Sequence, residues 1–228
     1  MFIKFFQFFS VILFGSALAC NAVNSSTKAT ATSANPTPVV KAAAQANNKN
    51  EQIAVFAGGC FWGVEAVFEH VKGVTGVTSG YSGGDASTAN YKAVSSGETK
   101  HAEAVKVTFN PSQVSYEQLL KVFFSVAHDP TEFNRQGPDI GTQYRSAIFY
   151  ANEEQKQQTQ NYIDKLNADK IYAQPIVTEV VALESFYQAE DYHQDYLVNH
   201  PNQPYIVIND QPKVDNLRKQ FPELYTAK

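Results

Sequence analysis

Ile53-Ala-Val-Phe-Ala-Gly-Gly-Cys60-Phe-Trp-Gly-Val-Glu-Ala-Val-Phe68 changes its periodicity in the middle, and that change decides how the chain is read. Residues 53–57 are a short apolar run of the kind that makes a buried strand, whereas Val64, Val67, Phe68 and Val71 recur at helical spacing. Cys60 therefore falls at a strand-to-helix turn. There the free N–H groups of the first helical turn and the positive end of the helix dipole favour an anion, so a stabilised thiolate with a lowered pKa is expected. The glycines on either side let the backbone turn tightly, and Phe61 and Trp62 add apolar surface beside the sulfur. A plainer reading of the same pattern is a small core cysteine at a helix start.

Downstream, His101-Ala-Glu-Ala-Val-Lys-Val-Thr-Phe109 alternates, so that Glu103, Val105, Val107 and Phe109 share one strand face and Ala104, Lys106 and Thr108 the other. A carboxyl group on an apolar face is held back from ionising, and its pKa rises towards the range where it donates a proton. A glutamate at a strand end, reaching solvent or pairing with lysine, fits the same spacing. Ser115-Tyr-Glu-Gln118 has the form of a capping box opening a helix that buries Leu119, Leu120, Phe123 and Phe124. A second helix is expected from about Asn152 to about Asn167, turning Tyr162, Ile163 and Leu166 inward, and a short one over residues 189–198. Strands fit residues 74–80, 144–150 and 176–183. The order strand, helix, strand, strand, helix, strand, helix, strand points to an α+β two-layer fold. His101, His128 and His193 read as structural or exposed, and Glu65 as support for the first helical turn or a nearby hydrogen bond.

Length and composition set bounds on this picture. The chain of 228 residues, 43% hydrophobic and 13% aromatic, has room for one ordinary domain plus extras. A net charge of −4, with 18 basic and 22 acidic residues spread along the chain, offers no basic stripe for nucleic acid and no polybasic patch. There is no Cys-x-x-Cys pair, and the five histidines form no His-x-x-x-His arrangement, so chemistry without a metal or other cofactor is expected, in a monomer. Residues 1–19 read as a signal peptide, too short and interrupted for a spanning helix, with small residues before Cys20 marking a processing point. Ala17-x-Ala19 suits ordinary signal peptidase. Ala19-Cys20 resembles a bacterial lipoprotein site, although Ala17 stands where such sites usually carry Leu, and lipid attachment at Cys20 with a membrane tether is the favoured reading. Residues 20–50 carry no aromatic residue and few large aliphatics, which makes them a flexible tether to a domain over residues 51–228. Export to the periplasm or cell envelope is therefore expected.

The stretch around Cys60 resembles the Gly-Cys-Phe-Trp-Gly signature of the peptide methionine sulfoxide reductase A family. Further matches follow in order: Gly80-Tyr-Ser-Gly-Gly84, Asn90-Tyr91, Ser96-Gly-Glu-Thr-Lys-His-Ala-Glu-Ala-Val105 and Gly141-Thr-Gln-Tyr-Arg-Ser146. The resemblance covers the chain from about Ile53 to at least Tyr196. It implies a ferredoxin-like two-layer core with long irregular insertions, and reduction of methionine S-sulfoxide, free or in oxidised proteins, to methionine. It implies roles too: Cys60 attacks the sulfoxide sulfur, Glu103 protonates the departing oxygen, Tyr91 and Tyr144 hydrogen-bond that oxygen, and Phe61 with Trp62 cradles the methyl group. Asp139, in Gly137-Pro-Asp-Ile-Gly141, corresponds to a position the family places near the site, although Ile140 is less typical there. Cys60 would be left as a sulfenic acid. Here the chain departs from many relatives, whose resolving cysteines lie in a Gly-rich C-terminal tail. This one ends Phe221-Pro-Glu-Leu-Tyr-Thr-Ala-Lys228 without cysteine, like a one-cysteine subtype, so an external thiol or a thioredoxin- or glutaredoxin-like reductant is expected. Two rivals use the same residues: a tethered module that binds oxidised peptides without turnover, and a thiol peroxidase built on a lone reactive cysteine.

Overall fold

The apolar run before Cys60 is buried on both of its faces, which places it inside a sheet rather than at an edge. In the computed structural model, which describes residues 50–228 and the backbone of Val40 and Lys41, this run is β2 (Gln52–Gly58), held between β4 (Ala102–Phe109) and β7 (Ser146–Tyr150). The strands β1 (Val40–Lys41), β3 (Val74–Ser82), β8 (Glu179–Ala182) and β9 (Ser185–Gln188) complete a seven-stranded sheet in the order β1-β9-β3-β4-β2-β7-β8. Every neighbouring pair is antiparallel except β7 and β8, which run parallel. A separate ribbon pairs β5 (Arg135–Gln136) with β6 (Asp139–Ile140). The signal-peptide reading, Cys20 and the rest of the expected tether lie outside the described residues; within the tether stretch, Val40–Lys41 pairs with Phe186 and Ser185 of β9.

Helices α1 (Phe61–Glu69), α3 (Tyr116–Val122), α4 (Glu153–Ala168) and α6 (Gln211–Gln220) are joined by the single turns α2 (Tyr91–Val94) and α5 (Tyr196–Asn199). The capping box forms as its sequence demands: the Gln118 N–H donates to Ser115 Oγ at 3.1 Å, and the Ser115 N–H donates to Gln118 Oε1 at 2.8 Å. Asn152 caps α4 by accepting from the Gln155 N–H. The period-2 face predicted for β4 is observed. Val105, Val107 and Phe109 join Phe56, Val67, Phe68, Leu119, Leu120 and Phe123 in the main core, while Ala104 joins Val55, Ala57 and Phe149 on the opposite face. Phe56 stacks against Phe68 at 5.0 Å and Phe123 at 4.9 Å, which fixes α1 and the end of α3 over the same strand.

The mixed α+β class follows from these elements, with departures where tertiary contact overrules pattern. The helix expected over residues 189–198 is replaced by a 3-10 turn at Asp191–His193 and the single turn α5, because Asp195 adopts a left-handed φ of 52° and breaks the helix. The strand expected from residue 144 starts at Ser146, after a 3-10 turn at Thr142–Tyr144. The strand expected over residues 176–183 is the shorter β8, followed by an unanticipated β9, and α6 was not expected at all.

Gly80 marks where strand packing is tightest: a Cβ there would overlap the Tyr187 carbonyl oxygen and the Phe186 ring of the adjoining strand. Gly76, on the same strand, faces open space. Gly80→Ala should lower stability by about 1–3 kcal/mol while Gly76→Ala changes it by less than about 0.5 kcal/mol, measured by urea unfolding. Equal effects at the two positions would show that β3 and β9 separate without cost.

Candidate active site

Gly59 turns the chain out of β2 with φ 91°, a conformation L side chains resist, and this sets Cys60 as the N-cap of α1. The first N–H of the helix, that of Phe61, donates to Glu103 Oε2 at 3.1 Å, so the second residue of β4 and the start of α1 meet at one point. Glu103 is 2% exposed. Its burial pushes its pKa up to about 8 against the pull of that single N–H, and the charges of Asp139 and Asp210 push the same way.

Cys60 is 8% exposed, and its thiol titrates well above the ordinary thiol value, the reverse of the sequence expectation. Burial is the largest cause, followed by repulsion from Glu103 and Asp210; the Trp62 N–H and Lys213 act in the opposite direction but are outweighed. A helix of nine residues contributes a field worth only about 1 kcal/mol, less than the desolvation of a thiolate. Asp210 is fully buried, pairs with Lys213 at 3.3 Å and packs on Gly63, where a Cβ would also lie 2.9 Å from Lys213 Nζ. Glu65 of α1 is buried as well, and burial together with the charge of Glu69 raises it to about 8.

The two expected tyrosines reach the same place from different elements. Glu190 accepts from the Tyr91 N–H at 2.9 Å with one carboxylate oxygen and from Tyr81 Oη at 2.9 Å with the other, which anchors the start of α2. Arg145 pins the turn that carries Tyr144 by donating to the Thr142 and Lys100 carbonyls at 3.0 Å and to Glu179 at 3.2 Å. Burial raises the pKa of both phenols, and the charges of Glu103 and Cys60 act on each. Both hydroxyls therefore stay neutral donors beside the thiol. Asp139 accepts from Tyr205 Oη and acts on Glu103, so it belongs to this group as well.

Trp62 stands at the centre of an aromatic wall. Tyr196 stacks on it at 3.7 Å and 6°, Tyr205 meets it edge-on at 6.0 Å, and Phe61 lies at 6.5 Å. Sequence reasoning missed Tyr196, Tyr205, Asp210 and Lys213, and took His193 for structural or exposed. His193 is buried and accepts from the Trp62 indole N–H at 3.1 Å. The density of aromatic and titratable residues in Glu190-Asp-Tyr-His-Gln-Asp-Tyr196 was the available signal. No group of three His, Cys, Asp or Glu side chains among the described residues is arranged for a metal ion. A cavity of about 740 Å³ bordered by Asp85, Lys100, Arg145, Glu179 and Tyr187 lies apart and includes none of Cys60, Glu103, Tyr91 or Tyr144.

A thiol, a protonated carboxyl group, two phenols and an aromatic wall around one point suit reduction of a small polar oxide on an apolar side chain. Residues 52–225 match the family described as peptide methionine sulfoxide reductase. The chain belongs to that family. It is 57% identical over 177 residues, 78% of this chain and 91% of the relative, to peptide methionine sulfoxide reductase MsrA 2 of Mesorhizobium japonicum. It is 55% identical over 174 residues to MsrA 2 of Synechocystis, covering 76% and 81% of the two chains. Among solved structures it resembles methionine sulfoxide reductase A of Corynebacterium diphtheriae, with TM-score 0.61, 33% identity and coverage of 74% and 84%. It also resembles reduced Mxr1 from Saccharomyces cerevisiae, with TM-score 0.64, 30% identity and coverage of 70% and 91%. The protein is an MsrA-type enzyme that reduces methionine sulfoxide.

Because the resting thiol is held protonated, alkylation of Cys60 by iodoacetamide should keep accelerating past pH 9 without a plateau near neutrality. Glu103→Gln removes one repelling charge, so alkylation at pH 9 should be faster in the variant. A wild-type plateau below pH 8 would mean that the helix terminus outweighs burial.

Proposed function

We propose that Cys60 takes the oxygen of methionine S-sulfoxide through a sulfenic acid intermediate, with Glu103 as the proton donor. The observation that carries this reading is the buried Glu103 carboxyl, held by one N–H and titrating near pH 8 beside the thiol. The Cys60 sulfur attacks the sulfoxide sulfur, and Glu103 gives its proton to the oxygen. As the S–O bond breaks, OH transfers to Cys60 and methionine leaves. The thiol proton reloads Glu103, so that thiol plus sulfoxide becomes sulfenic acid plus thioether with every atom accounted for. Protonation matters because a bare oxide is a poor leaving group. The Tyr91 and Tyr144 hydroxyls hold the oxygen, Phe61 and Trp62 receive the methyl group, and Asp139 fixes Tyr205 beside them.

Glu103→Gln should lower the single-turnover rate by about 10²–10⁴. In the wild type the reduction step falls as pH rises through about 8, where the donor loses its proton; in the variant that limb is absent. The carboxyl ionises less readily folded than unfolded, so the wild type loses stability as pH climbs from about 4.5 to about 8, and Glu103→Gln escapes this loss. A variant with wild-type rate and profile would place the acid elsewhere.

The recycling reading is the one-cysteine cycle: an external thiol, or a thioredoxin- or glutaredoxin-like reductant, attacks the sulfenic acid directly, and no cofactor takes part. Its support is the sequence, since Cys60 and Cys20 are the only cysteines. The leader, the Ala19-Cys20 junction and the polar stretch after it support export, with acylated Cys20 tethering the enzyme to a membrane, where it repairs oxidised exported proteins as a monomer. The strand order β3-β4-β2-β7, with α1 and α3 on one face, supports a ferredoxin-like description of the catalytic core. The competing resolving thiol is an unacylated Cys20, the other cysteine of the sequence. A protein of residues 51–228 should nonetheless turn over in dithiothreitol as fast as the full mature chain. Arrest at the sulfenic acid in the shortened protein, with rescue by Cys20, would make Cys20 the resolving residue.

A further inference from the structure

Trp62 is the only tryptophan of the chain, and its indole nitrogen can only donate. Its partner is His193 Nδ1 at 3.1 Å, which must accept, so the ring proton of the neutral histidine sits on Nε2. His193 is 2% exposed, with its ring centroid 5.0 Å from that of Phe61 and 4.5 Å from that of Tyr91. Burial favours the neutral ring and keeps Nδ1 an acceptor. Nε2 is buried too and has no hydrogen-bond partner among the described residues. An orphaned buried donor is unfavourable, and a side chain serving only to fill this space would be apolar. What the histidine supplies is the Nδ1 acceptor. Tyr196 stacks flat on the indole, and a stack alone leaves the indole free to slide in its own plane; a hydrogen bond from the ring edge removes that freedom.

We propose that His193 is a positioning residue for sulfoxide reduction: its Nδ1 fixes the indole of Trp62 and thereby sets how tightly the substrate methyl group is held. This rests on the reading of Trp62 as a wall of the methyl site. The histidine acts through Trp62 rather than on the reacting sulfur or oxygen, so its loss weakens binding in ground state and transition state alike.

Two substitutions separate the acceptor from the ring. His193→Asn places Oδ1 near the former Nδ1, and His193→Phe keeps the ring volume without an acceptor. With the full chain, a methionine sulfoxide peptide and dithiothreitol, His193→Phe should raise KM about tenfold with kcat within about threefold, and His193→Asn should recover KM to within about threefold of wild type. The single-tryptophan emission should shift in His193→Phe and return towards wild type in His193→Asn. An unchanged KM in His193→Phe, or an equal loss in both variants, overturns the proposal. Trp62→Leu tests the underlying reading separately: an unchanged KM there removes Trp62 from the methyl site. In that case the emission still decides the clamp, and an unshifted spectrum in His193→Phe removes it as well.

Discussion

One hydrogen bond, from the Phe61 N–H to Glu103, joins the start of α1 to the second residue of β4, and the site is organised around it. A carboxylate that accepts two or three N–H groups is locked in the charged form; here a single donor is set against nearly complete burial, and burial wins. The result is an acid that keeps its proton at neutral pH and yet is fixed in place. The glycine turn before Cys60 and the core packing of Val105 and Phe56 matter to function because they hold the two ends of this bond in register.

The same burial has an opposite consequence for the thiol. Cys60 shares its surroundings with Glu103, Asp210 and Asp139, and the partly exposed Lys213 is too weak a counterweight to ionise the thiol at rest. A thiol and a carboxylic acid that both hold their protons are less reactive alone than a free thiolate. Together they suit a reaction in which one proton must arrive at oxygen as another leaves sulfur. Polar groups held in an apolar setting are costly, and the cost is carried by the sheet, whose strand β2 is apolar on both faces.

The aromatic wall shows how far that setting is assembled from distant segments. Trp62 comes from α1, Tyr91 from α2, Tyr196 from α5, Tyr205 from the turn before α6, and His193 from the 3-10 turn that replaces an expected helix. Glu190 ties two of these pieces by accepting from Tyr81 and from the Tyr91 backbone, and Asp139 ties a third through Tyr205.

The sequence by itself determined the local facts: the strand-to-helix turn at Cys60, the face of β4 on which Glu103 lies, the capping box at Ser115, and the ordered motifs that carry the family resemblance. These are readable because strand alternation, helical spacing and cap chemistry depend on neighbours within a few residues. Only the tertiary structure decided the protonation of Cys60, since burial and the charges of Glu103 and Asp210 come from elements far away in the chain. The left-handed turn at Asp195, the strand β9, and the convergence of His193, Tyr196 and Tyr205 on Trp62 are of the same kind. Their residues carry no periodic signal, and their placement follows from long-range packing that local pattern does not encode.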